Sequence, residues 1–173
     1  MTYAVVLYFD VKTELYIQNL MNHLCDKGMN TYMLDNKIPP HVTISLFDKY
    51  NTDGLVNIIK KFADSLKSFE LCFASIGVFY PPVIFLAPVI IQQLLEANST
   101  IINSLKEVAT DFNDYYMPGT WVPHAALGVK LSENELQEAF KIVQKEFKTF
   151  SGIITKVALA ECNPYKELCC YDL

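Results

Sequence analysis

Apolar positions along this chain follow two rhythms that alternate from one end to the other. Tyr3 to Phe9 is a nearly unbroken apolar, β-branched run, the pattern of a buried strand. Ile17, Leu20, Met21 and Leu24 then fall at i, i+3, i+4 and i+7, one face of a helix entered at Thr13 and closed by Gly28. His41 to Phe47 alternates as a strand. Leu55, Ile58, Ile59, Phe62 and Leu66 form a second helical stripe. Phe69–Phe79 and Val83–Leu86 read as two strands joined across Tyr80-Pro81-Pro82. Leu94, Ile101, Leu105, Val108 and Phe112 predict one long helix from Ile90 to Phe112, and Trp121 to Leu131 predicts another strand. Ser132, with Glu135 three residues on, is a capping box before a helix expected to bury Leu136, Phe140, Val143 and Phe147. Strands at Ile153–Ala160 and Leu168–Tyr171 follow, with Asn163-Pro164 as a turn between them.

The two halves of this pattern match. Pro40-His41 opens one strand and Pro123-His124 another, 124 − 41 = 83 residues later. An amphipathic helix follows each, and each helix ends in a similar triplet, Lys67-Ser68-Phe69 or Lys148-Thr149-Phe150, the phenylalanines 150 − 69 = 81 apart. The near-constant offset predicts two copies of one unit, arranged as two lobes about a pseudo-twofold axis. No linker or low-complexity segment interrupts the chain, so residues 1–173 are expected to form one domain.

Composition narrows the function. With a formal net charge of −5, the chain is poorly suited to grip an extended nucleic acid backbone, although a single phosphate ester remains within reach. All fourteen basic residues are lysines, so no arginine fork can clamp a phosphate. The five cysteines are odd in number and lack CxxC spacing, which points to free thiols and a cytoplasmic location. The N-terminus reads as a strand and not as a signal peptide, and the longest apolar run is too short to span a membrane.

Strand parity gives the histidines a direction. His41, Thr43 and Ser45 share one face of their strand, with Val42, Ile44 and Leu46 on the core face. In the second copy His124, Ala126 and Gly128 share a face. A twofold axis then turns both imidazoles toward one cleft. One neutral and one protonated imidazole can act together, the first accepting a proton from water and the second giving one to a departing oxygen. Flanking hydroxyls and amides can hold the phosphoryl oxygens. No metal or other cofactor is called for, and no cluster supplies third and fourth metal ligands beside His41 and His124.

At these residues the chain resembles the two-histidine (2H) phosphoesterase superfamily, which includes the 2′-5′ RNA ligase-like proteins and 2′,3′-cyclic phosphodiesterases. The resemblance rests on His41-Val42-Thr43, on Trp121-Val122-Pro123-His124 and on the segment GVFYPPVIFL. It implies an α+β fold of two lobes, with antiparallel sheets, helices outside and a central cleft. It also implies catalytic His41, Thr43 and His124, acting on a 2′,3′-cyclic phosphate or 2′-5′ linkage of an RNA end or small nucleotide, in a monomer.

The second motif departs from the family pattern, since His124-Ala125-Ala126 has alanine where the family has threonine or serine. A lost phosphate donor costs about two to three orders of magnitude in rate where it is fully used. Ala126 therefore contributes only its position and backbone. Lys130, on the His124 face by parity, is the candidate replacement for an arginine common shortly after that motif, and Tyr80 is a candidate base-stacking residue. His23 is expected to be structural, and Trp121 falls on the opposite parity from His124. The alternative to an enzyme is a phosphate-ester or RNA-end binding protein with weakened turnover.

Overall fold

A computed structural model describes residues 1–49 and 54–173. Its strands are β1 (Thr2–Phe9), β2 (His41–Lys49), β3 (Phe69–Phe79), β4 (Val83–Pro88), β5 (Ala109–Phe112), β6 (Ala125–Gly128), β7 (Phe150–Cys162) and β8 (Tyr165–Asp172). Its helices are α1 (Val11–Asp26), α2 (Tyr32–Asp35), α3 (Leu55–Ser65), α4 (Gln92–Leu105) and α5 (Glu133–Glu146). The strands form one open eight-stranded antiparallel sheet in the order β5-β2-β1-β7-β3-β4-β6, with β8 paired to β7. Among the described residues, no helix is long and apolar enough to cross a membrane.

The repeat is visible in that order. The first copy runs β1-α1-β2-α3-β3 and the second β4-α4-β6-α5-β7. Equivalent strands are therefore β1 with β4, β2 with β6, and β3 with β7. Read from its two ends, β2-β1-β7 and β6-β4-β3, the sheet presents the same sequence of equivalents and meets itself at the β7–β3 seam. There Leu71 pairs with Gly152, and 152 − 71 = 81 is the repeat offset itself. The flanking pairs Phe69–Ile154 and Phe73–Phe150 are exchanged by that same offset, so the pseudo-twofold axis passes through the Leu71–Gly152 pair.

All the longer helices pack on one face of the sheet. Val5, Leu7, Phe9, Ile44, Leu71 and Leu159 meet the stripes of α1, α3, α4 and α5 in a single core. The opposite face carries Ala4, Val6, Tyr8 and Ala158, a smaller cluster beneath the cleft. β1 is thus covered on both sides, which is why it reads as a continuous apolar run.

Several local expectations are corrected. The N-cap of α1 is Asp10, not Thr13. The Asp10 carboxylate accepts from the backbone of Lys12, Thr13 and Ile153 and from the Thr13 hydroxyl, and Thr13 itself is buried. The long helix ends at Leu105, because Ala109–Phe112 instead pairs with β2 and packs Phe112 against Phe47. The strand expected from Trp121 to Leu131 shrinks to Ala125–Gly128. Pro123 has no N–H for the ladder, and Lys130 turns to a left-handed backbone at φ 55°. The Ser132–Glu135 capping box is present, but α5 centres its buried stripe on Ala139 and Val143 and leaves Phe140 exposed.

Gly152 leaves no room for a side chain. A Cβ there would lie 2.3 Å from Thr13 Cγ2 and 2.6 Å from its Oγ1. Gly152→Ala is expected to lower the unfolding free energy by about 1–3 kcal/mol through overpacking at the seam. Adding Thr13→Ala should recover part of that loss in urea titrations, and a neutral Gly152→Ala would refute the close approach.

Candidate active site

Both motif histidines stand at the mouths of their strands and are held alike. His41 begins β2, and its Nδ1 lies 2.7 Å from the Pro39 carbonyl oxygen. His124 immediately precedes β6, and its Nδ1 lies 2.7 Å from the Val122 carbonyl oxygen. A carbonyl only accepts, so in each neutral ring Nδ1 carries the proton and Nε2 keeps its lone pair. Pro40 and Pro123 stiffen the backbone between donor and acceptor in both triplets.

The two rings line one cavity of about 600 Å³. Thr43, Ala126 and Tyr80 line it as well, Tyr80 as a largely exposed rim residue. Lys130 is not among the lining residues. The ladder ends before it, so the parity expectation does not reach it, and its Nζ sits 3.6 Å above the centre of the Tyr32 ring. Trp121 is buried in the main core. His23, on α1, pairs with Glu146 at the end of α5, 3.2 Å away. Among the described residues, no group of three or more His, Cys, Asp or Glu side chains is placed to hold a metal ion.

Parity also fails in the middle of β2. Val5 pairs with Ser45 and Val6 with Thr43, so Ile44 is an extra residue, a β-bulge. Beyond it the alternation reverses. Ser45 is fully buried instead of facing the cleft, and Leu46 lines the cavity instead of the core.

Burial lowers the affinity of both imidazoles for a proton. His41 is held below the ordinary histidine value by desolvation first and by repulsion from His124, against the pull of its Pro39 hydrogen bond. His124 is lowered by desolvation, against the hydrogen bond to Val122. Aromatic rings surround His124, with Phe79 4.9 Å and Phe85 5.2 Å away between centroids and Tyr116 at 6.4 Å. Phe85 in turn lies over Gly77, where a Cβ would fall 2.3 Å from the ring.

Asn98 was not picked out by the motifs. It is buried in α4, and its side-chain nitrogen donates to the carbonyls of Ile44 (2.8 Å) and Tyr116 (2.9 Å). A signal for it exists in the sequence: an amide interrupting the apolar stripe between Leu94 and Ile101. Gly77 inside a strand is a similar mark of close approach.

The family model of the 2′-5′ RNA ligase superfamily matches residues 11–163. No curated protein matches the chain. Among solved structures, E. coli LigT in complex with 3′-AMP superposes with a TM-score of 0.63 at 13% identity, over 99% of this chain and 97% of that one. A structure described as a phosphoesterase gives 0.58 at 12% identity over 99% and 98% of the two chains. Kluyveromyces marxianus Usb1 gives 0.52 at 12% identity over 96% and 97%. These likenesses are of fold.

Nitrogen-15 NMR is expected to find Nδ1–H as the neutral tautomer of both His41 and His124, each titrating below the ordinary value of 6.5. Between the folded and unfolded values the unfolded chain binds more protons. Stability is therefore lost as pH falls from about 6.5 through that window, and it is fully present above it. An Nε2–H tautomer on either ring would contradict the carbonyl contacts.

Proposed function

The chain belongs to the 2′-5′ RNA ligase superfamily, and we propose that it is a metal-independent phosphodiesterase using its two histidines as acid and base. Its substrate is a 2′,3′-cyclic phosphate or 2′-5′ phosphodiester on an RNA end or small nucleotide. The observation that carries this reading is the matched pair of imidazoles, each tied through Nδ1 to a carbonyl two residues back, on the wall of one cavity.

In the singly protonated pair we assign the proton to His124, because the His41 ring is the more deeply buried of the two and desolvation is the first cause that holds it low. Neutral His41 then takes a proton from the attacking water through Nε2, and protonated His124 gives one to the departing ribose oxygen. Thr43 supplies a hydroxyl to the phosphoryl oxygens. Ala126 supplies only backbone, and Tyr80 stacks on the base at the rim. LigT has been crystallised with 3′-AMP, NADP+ and phosphate, which supports a small nucleotide partner. The net charge of −5 argues against an extended nucleic acid. We place the protein in the cytoplasm as a monomer, and five free cysteines support a reducing compartment.

A second reading, a binding protein with little turnover, draws on Ala126. Both are tested on nucleoside 2′,3′-cyclic phosphates and 2′-5′ dinucleotides. For the enzyme, kcat/KM follows a bell-shaped pH profile whose optimum lies on the acid side of 6.5, because both imidazoles are lowered. Turnover survives EDTA, and His41→Ala or His124→Ala lowers kcat by about 10²–10⁴-fold. Undiminished turnover in either variant would reject the mechanism. Ala126→Thr is expected to raise kcat by up to about 10²-fold if a missing donor limits the rate. Tight binding without turnover in both forms would establish the binder.

A further inference from the structure

The cavity wall is electrically neutral apart from the histidine pair. None of the described residues that line it is Lys, Asp or Glu, and the sequence has no Arg. Its polar groups are hydroxyls and amides, among them Thr43, Asn113, Tyr116, Asn163 and Tyr165. Tyr165 shares a hydrogen bond with the hydroxyl of Tyr8, and burial raises the pKa of both phenols, so neither brings a charge. Of the ionised groups nearby, Glu167 lies against the Tyr8 and Tyr165 phenols and adds only negative charge. Lys130 lies on the Tyr32 ring, and Asp48 accepts from Thr2 and pairs with the N-terminal amine at 3.7 Å.

Among the described lining residues, the only positive charge to set against a phosphate is therefore one protonated imidazole. One such charge balances a phosphodiester, which is a monoanion. A phosphomonoester dianion brings a second negative charge into a desolvated, aromatic site with no second cation among its described lining residues.

Resting on the phosphodiester reading above, we propose that this cavity selects singly charged phosphodiesters and rejects the dianionic monoesters its own reaction yields, so that charge drives product release. Water adds to phosphorus, and its proton goes to His41. The bond from phosphorus to the ribose oxygen breaks, and that oxygen takes the proton of His124. The product forms as the singly charged monoester and, above the second phosphate pKa of about 6, loses a proton to solvent and becomes a dianion. The pair resets when His41 passes its proton back by way of solvent.

The test is equilibrium binding of two ligands to the wild-type protein at about pH 7.5, where the monoester is dianionic, the free histidine pair is neutral, and a bound anion draws one proton onto the pair. Adenosine 3′-phosphate is compared with adenosine 3′-methylphosphonate, which replaces one ionisable oxygen by a methyl group and stays a monoanion. The methylphosphonate is expected to bind about tenfold or more tightly than the phosphate. Equal binding, or tighter binding of the dianion, overturns the proposal. Val122→Lys places a cation on the exposed part of the wall and should narrow the gap by strengthening the dianion. A folded Val122→Lys protein with the wild-type gap overturns the charge explanation. Charge preference without turnover of cyclic phosphates would leave the charge selectivity standing and remove the phosphodiesterase reading together with charge-driven product release. Turnover with equal binding of the two ligands would remove this inference alone.

Discussion

The arrangement of the molecule depends on the antiparallel pairing of β3 with β7. Each strand ends one repeat, and each is the symmetry equivalent of the other, so the seam is paired with itself about Leu71 and Gly152. That register fixes everything outward from it. β1 and β4 take equivalent places on either side, and β2 and β6 follow, each with its histidine at the mouth. A slip of one residue at the seam would turn the core face of β7 toward the cleft. Gly152 helps to hold the register, since the contact with Thr13 beneath it admits no side chain.

Symmetry in the sheet produces symmetry in the chemistry, and then departs from it in a useful way. Both imidazoles have the same tautomer, fixed by the same kind of contact. Their surroundings differ. His124 is packed among Phe79, Phe85 and Tyr116, whereas His41 heads a strand that also presents Thr43. Acid and base roles require two like groups in unlike environments, and a duplicated unit whose copies have diverged supplies them.

Much of this was legible in the sequence because it is written in local periodicity. The duplicated Pro-His openings, the helical stripes from Ile17 to Leu24 and from Leu55 to Phe62, and the Ser132 cap each depend on a few neighbouring residues. What was not legible depends on partners distant in the chain. The spacing of Val108 and Phe112 suits a helix as well as it suits a strand, and only the free edge of β2 decides for the strand. The bulge at Ile44 exchanges the faces of Ser45 and Leu46, and parity counting has no means to see an inserted residue. Parity reaches Lys130 only along a strand that Pro123 and a left-handed backbone cut short. The neutrality of the cavity wall is a property of two dozen residues gathered from across the chain, so no single motif announces it.

Asn98 has a mechanical meaning as well as a structural one. It belongs to the second repeat, yet one amide nitrogen grips both Ile44, the bulged residue of the first repeat, and Tyr116, which leans toward His124. One planar group thus fixes the spacing between the Tyr116 backbone, beside one histidine, and the strand that carries Thr43 and the other.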